Sequence, residues 1–206
     1  VSPSPDLSFE VEAYRQGYRY IAGIDEVGRG CLAGPVVAAA VILPAGLIID
    51  GVRDSKELRP SRREHLFEVI NRHAVATGIG IVENEDIDRI NILKATIEAM
   101  KMAVENLRIL PDYLLIDAVT LSDIRIPQRS IIKGDMLSVS IASASIVAKV
   151  VRDRLMVRLH SRFPLYNFIS NKGYGTRDHI QRLRRYGPSP IHRKSFLKRI
   201  LINELS

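Results

Sequence analysis

The stretch YIAGIDEVGRGCLAGPVVAAAVIL, residues 20–43, sets two adjacent acids between two apolar runs. The first run, residues 20–24, has the length and composition of a buried strand and delivers Asp25 and Glu26. Gly28, Gly30 and Gly34 follow, with Arg29 between the first two. The second run, residues 36–43, reads as another strand, so the pattern is strand, glycine-rich turn, strand. Two carboxylates at a strand end are costly to bury unless a cation or proton compensates them, which points first to a divalent metal. Neighbours in a strand face opposite ways, so Asp25 and Glu26 share one site only if the strand ends there. Gly28 is the expected cause of that ending.

Glycines permit close approach by a ligand, and successive free N–H groups in such a turn form an anion-binding concavity. The Arg29 guanidinium matches phosphate oxygens. Carboxylates for a metal therefore stand beside a backbone suited to phosphate, the combination that phosphodiester chemistry needs. The competing reading is a hairpin with a solvated acid pair at its tip. No GxxxxGK[ST] loop occurs, which disfavours a nucleotide-dependent phosphotransferase. A strand, not a helix, follows the glycines, so the dinucleotide-binding order is absent too.

With 206 residues, 46% of them hydrophobic, the chain can build one sizeable core. No apolar run approaches the ~18 residues of a membrane span. The opening VSPSPD shows no secretory pattern and reads as a frayed lead-in, while the closing residues 203–206 show no clear clamp-binding tail. A single cysteine, Cys31, excludes an internal disulfide framework and a cysteine-rich zinc site, and reads as a packing residue. A cytoplasmic monomer is expected, with no membrane partner.

The net charge of +7 is unevenly spread: residues 149–206 hold 14 Lys/Arg against 3 Asp/Glu, the rest 16 against 20. A basic C-terminal quarter on an acidic body suits a polyanion held over a metal site. Equally, it describes a solvated basic helix, and a non-catalytic nucleic-acid binder is the second functional reading. Residues 1–160 are expected to form the catalytic part and residues 161–206 a basic helical part of the same compact unit.

Period and punctuation predict helices over residues 7–16, from a Ser61/Glu64 capping box, over 91–107, 138–160 and 176–186, and near Ser195. Further strands are predicted over 76–82, 113–116 and, more weakly, 130–133. Asp117 and Asp135 close the last two. Either they join the first acid pair around a metal, or they serve turns and a helix N-terminus. Asp153 reads as an exposed ion-pair residue. The five histidines show no paired metal spacing, and His192 reads as structural.

The string GIDEVGRGCLAGPVVAAAVIL resembles the opening signature of bacterial ribonuclease HII, a type 2 ribonuclease H. DSK at residues 54–56, LLID at 114–117, KGD at 133–135, ASIVAKVVRD at 144–153, KGYGT at 172–176 and HRKSF at 192–196 follow in the family's order. The resemblance implies a ribonuclease H-like fold: a mixed five-stranded sheet flanked by helices, with a basic helical C-terminal extension. It implies an acidic tetrad of Asp25, Glu26, Asp117 and Asp135 that is both catalytic and metal-binding, with two Mg²⁺ or Mn²⁺ ions in the substrate complex. Substrate-binding roles pass to Gly28, Arg29 and Gly30 at a 2′-OH, Ser55 and Lys56 at backbone phosphates, and Tyr174 on a sugar. The implied partners are RNA/DNA hybrid and ribonucleotide-containing duplex DNA, cut on the 5′ side of the ribonucleotide. Three positions depart from the family's usual pattern: Ala118 for glycine, Glu57 for lysine and Asn171 for histidine. Type HIII enzymes are the nearest alternative, and the GRG after DEV favours HII.

Overall fold

The computed structural model describes residues 4–202; residues 1–3 of the lead-in and the 203–206 tail lie outside them. Strands β1 (Ile21–Val27) and β2 (Val36–Ile42) are apolar almost throughout because both of their faces are covered. On one face Ala22, Ile24, Ala38, Ala40 and Ile42 meet α4 (Ile92–Glu105); on the other Ala39 and Val41 meet α5 (Val139–Arg162). With β3 (Ala76–Val82), β4 (Tyr113–Asp117) and β5 (Gln128–Ile131) they form a five-stranded sheet in the order β3-β2-β1-β4-β5. β2 is antiparallel to both neighbours, whereas β1–β4 and β4–β5 are parallel. This is the mixed, helix-flanked sheet that the sequence predicts.

Helix α5 lies hard against β1. A Cβ on Gly23 would stand 2.1 Å from the Ser140 carbonyl carbon, so only glycine permits this approach. Asp25, two residues on along the same face, is thereby brought under α5.

Helix α1 (Ser8–Arg15) matches expectation, and α4 starts where Asn91 Oδ1 accepts the Leu93 and Lys94 N–H groups at 3.0 and 3.1 Å. The Ser61/Glu64 capping box does not form. Helix α2 (Pro60–His73) begins two residues early, because Pro60 suits the first helical position, and Arg59 stands at the N-cap without a side-chain bond. Helix α3 (Asn84–Ile90), short and polar, gave no periodic signal. β5 stops two residues before the predicted end because Lys133, at φ +58°, turns the chain. Beyond the sheet, α5 runs past residue 160 to Arg162, and α6 (Phe168–Asn171), α7 (Arg177–Tyr186) and α8 (Lys194–Ile202) follow it. No described helix is long and apolar enough to cross a membrane.

Candidate active site

The expected early end of β1 does not occur. The strand continues through Asp25, Glu26 and Val27, paired with Ala39, Ala38 and Val37 of β2. What ends is β4: its last partner on β1 is Ile24, opposite Ile116, and Asp117 is its final residue. Beyond that point one flank of β1 is open, and the Glu26 N–H donates to Asp25 Oδ1 at 2.7 Å. Carboxylate oxygens of Asp25, Glu26 and Asp117 lie within 4.8 Å of one another. Convergence therefore comes from a short parallel neighbour and the reach of the Glu26 side chain.

Asp135 sits beside this cluster. Asp117 Oδ1 accepts the Gly134 N–H at 2.7 Å, which draws the KGD turn against the end of β4. Asp135 Oδ2 then lies 3.6 Å from Lys56 Nζ, which also stands 3.9 Å from Asp54. Ala118 has φ +54°, the left-handed region, which explains why glycine suits that position better.

Burial pushes the Asp25 carboxyl well above its ordinary range, and the Glu26, Asp117 and Asp135 charges push it further. Burial also raises Glu26 and Asp117, offset in part by Arg29 and by the Gly134 N–H respectively. Asp135 rises through burial and the charge of Asp54. Burial opposes the charge on Lys56, yet Asp54, Asp135 and Asp25 outweigh it and raise its pKa. Acids crowded this way need protons or a cation, and an all-oxygen donor set fits a hard divalent ion.

The glycine turn borders these acids. Gly28, at φ +96°, leaves no room for a Cβ, which would fall 2.2 Å from Arg152 Nε. At Gly30 a Cβ would meet nothing within 4 Å. Arg29 is exposed and 3.4 Å from Glu26 Oε1. Lys56 is exposed as expected, but the Ser55 side chain is not: its hydroxyl is buried on Ser145 Oγ at 2.9 Å. The Tyr174 ring is half-buried, with Lys149 Nζ and the Arg152 guanidinium 5.4 and 5.6 Å from its centre. Burial pushes its hydroxyl up to about 12.

Sequence reasoning missed what holds these loops. Arg152, counted within the basic C-terminal quarter, is wholly buried and donates to the carbonyls of Pro35, Lys172 and Ala33 at 2.9, 2.8 and 3.1 Å. Arg193, equally buried, donates to Gly34 O and Arg29 O at 3.0 and 2.9 Å, and burial lowers its pKa to about 10. A signal for Arg152 existed: it falls at steps of four with Ala144, Ala148 and Met156, all on the buried side of α5. Asn171 bridges its own loop, donating to Tyr166 O at 2.7 Å and accepting from the Gly173 N–H at 2.8 Å. Asp153 is an ion-pair residue, 2.7 Å from Lys149 Nζ and 3.4 Å from Arg63 Nη2, though half-buried rather than exposed. Cys31 is buried and unpaired.

The family model described as Ribonuclease HII matches residues 22–199. A ribonuclease HII of Acetivibrio thermocellus is 57% identical over 194 residues, covering 94% of this chain and 76% of the relative. One from Syntrophus aciditrophicus is 57% identical over 188 residues, covering 91% and 89%. The crystal structure of the ribonuclease H2 from Pyrococcus horikoshii superposes with a TM-score of 0.72 at 27% identity, covering 89% of this chain and 97% of that one. The match to the HII model decides against the type HIII alternative. The α/β fold is ribonuclease H-like, the chain is a ribonuclease H endonuclease, and it belongs to the ribonuclease HII family.

Proposed function

We propose that this ribonuclease cuts the RNA strand of RNA/DNA hybrids and, in duplex DNA, the 5′ side of a single embedded ribonucleotide, leaving 5′-phosphate and 3′-hydroxyl ends. The observation that carries this reading is the convergence of Asp25, Glu26 and Asp117 within 4.8 Å, beside a glycine turn. Those three acids and Asp135 would hold two Mg²⁺ or Mn²⁺ ions. Such ions, when bound, supply the charge that lowers the pKa of a water and offsets charge on the leaving oxygen.

The remaining groups bind and orient. Nothing in the protein's own packing requires glycine at Gly30, because no atom lies where its Cβ would be. A substrate sugar approaching the backbone does require it, which supports recognition of the 2′-OH by the 28–30 backbone. Arg29 and Lys56, both exposed at the rim, supply phosphate contacts. Ser55 works from below: through Ser145 it fastens the DSK loop to α5. Tyr174 packs on the next sugar, where a ring tolerates a C2′ hydrogen and crowds a hydroxyl.

The test is cleavage of a DNA duplex with one ribonucleotide, beside an RNA/DNA hybrid and an all-DNA duplex, with Mg²⁺ and with EDTA. Cleavage of the first two only, abolished by EDTA, is expected. Cutting of all-DNA duplex would refute the 2′-OH reading. Tyr174→Ala is expected to reduce the ratio of kcat/KM for the junction over the hybrid about tenfold or more through lost positioning, and Tyr174→Phe to keep it.

The exposed side chains of Arg184 and Arg185 on α7 extend the basic surface. Each phosphate contact contributes about 0.9 to the slope of log affinity against log salt, so removing both arginines is expected to flatten that slope by up to about 2. An unchanged slope would show that α7 is merely solvated.

A further inference from the structure

We infer that His179 and His192 are positioning residues for Tyr174, forming a buried relay that locks the tyrosine backbone to the turn at residues 188–190. This inference rests on the sugar-reading role proposed for Tyr174.

The relay has one arrangement of protons. The Ser189 N–H, 2.9 Å from His192 Nδ1, can only donate, so Nδ1 is the bare nitrogen and Nε2 carries the hydrogen. The Ser189 hydroxyl, 2.8 Å away, adds a second contact to Nδ1. His192 Nε2 lies 3.0 Å from His179 Nε2, which must therefore accept. The His179 proton is left on Nδ1, 2.8 Å from the Tyr174 carbonyl, which can only accept. A backbone group with a single role fixes each end.

The surroundings suit neutral rings. His179 and His192 are 0% and 1% exposed and pack on Phe168, and His192 also on Tyr166. Burial lowers both pKa values, that of His192 to about 4, where the neighbouring His179 adds to the effect. Neither histidine bonds to the four acids.

The relay completes a clamp around the strand after the glycine turn. Cys31 bridges to Tyr174 on one side, and Ala33 bridges to His192 on the other. The Leu32 N–H donates to Gly173 O and the Arg193 N–H to Leu32 O, both at 2.8 Å. The element proposed to sense the ribose and the element proposed to sense the next sugar are thus held at a set spacing. The two histidines, bonded in series, tie the Tyr174 carbonyl to Ser189 behind that clamp. Losing it should leave the acids in place and blur the choice of junction.

Two measurements test this. In ¹⁵N-labelled protein at pH 7, side-chain NMR should find His179 protonated on Nδ1 and His192 on Nε2, with a nitrogen–nitrogen coupling across the shared hydrogen. His179 protonated on Nε2, or either ring cationic, would overturn the relay in the folded protein without any substitution. In kinetics, His179→Leu should lower the junction-over-hybrid ratio of kcat/KM about tenfold while hybrid cleavage stays within about twofold. His179→Asn, whose amide can still donate to the Tyr174 carbonyl, should recover most of the ratio. Equal loss on both substrates would overturn the inference in favour of a general packing role. A lowered ratio in Tyr174→Ala with none in His179→Leu overturns the relay alone. An unaltered ratio in Tyr174→Ala overturns the sugar-reading role beneath it.

Discussion

Asp117→Asn is expected to lower kcat/KM on the embedded-ribonucleotide duplex by about three orders of magnitude or more, the scale of contributions from metal-assisted hydrolysis. The substitution keeps the volume, and the amide oxygen can still accept the Gly134 N–H, so the KGD turn should hold its place. The fold should not suffer. Burial raises the Asp117 carboxyl pKa, so its ionised form opposes folding at neutral pH in the absence of a cation. The sign follows from linkage: a raised carboxyl pKa means that the folded state binds the proton more tightly. Stability then falls as pH rises from the unfolded value near 4 through the folded value. Removing the charge should leave the metal-free Tm unchanged or higher, while Mg²⁺ should raise the Tm of the native protein more than that of the variant. Asp153→Asn is the control, because Asp153 pairs with Lys149 and Arg63 on α5 and α2. It should lose stability and keep its cleavage chemistry. A folded Asp117→Asn protein with near-normal cleavage at saturating Mg²⁺ would sink the metal-site assignment. A lower metal-free Tm would show that Asp117 chiefly fastens the turn.

The parts of this molecule that could be read in advance are those whose signals are local. Continuous apolar runs marked β1 and β2, and apolar positions at steps of three and four marked α4. Asp117 was legible as an acid closing an apolar strand, but the residues alone left turn chemistry equally open, and only the family resemblance set it beside Asp25 and Glu26. How Asp25 and Glu26 converge was not legible, since it depends on where β4 stops, almost a hundred residues later. The inward turn of the Ser55 hydroxyl was not legible either, because nothing in the DSK loop reveals that Ser145 waits beneath it. The basic count of the C-terminal quarter was correct as a sum and misleading as a surface. Arg152 and Arg193 contribute two of those charges, yet both are wholly buried, and four of their carbonyl partners lie 117 to 164 residues away.

That burial leads to the second large expected effect. Arg152→Met should destabilise the protein by about 2–6 kcal/mol, because the two fully buried carbonyls that it serves, Pro35 O and Ala33 O, would each lose a donor at about 1–3 kcal/mol. Two terms compete. Replacing a buried ion with an apolar chain of similar size relieves its desolvation, which in buried ion pairs often makes such swaps neutral. There, however, both charged partners leave together. Here the partners are backbone carbonyls that stay, so the orphaned acceptors should dominate. Arg152→Lys should rescue little, since a single ammonium cannot span carbonyls on either side of the chain as a planar fork does. Function should fall as well. Gly28 closes directly on the guanidinium, so its loss frees the 28–30 backbone from below while Asp25, Glu26 and Asp117 keep their places. Cleavage at an embedded ribonucleotide should drop about tenfold or more, and Gly28→Ala, which forces a Cβ into Arg152, should do the same. Urea midpoints and kcat/KM for Arg152→Met, Arg152→Lys and Gly28→Ala decide the matter. An unchanged midpoint in Arg152→Met would mean that water satisfies those carbonyls. A lowered midpoint with undiminished cleavage would separate the buried arginine from the turn that it supports.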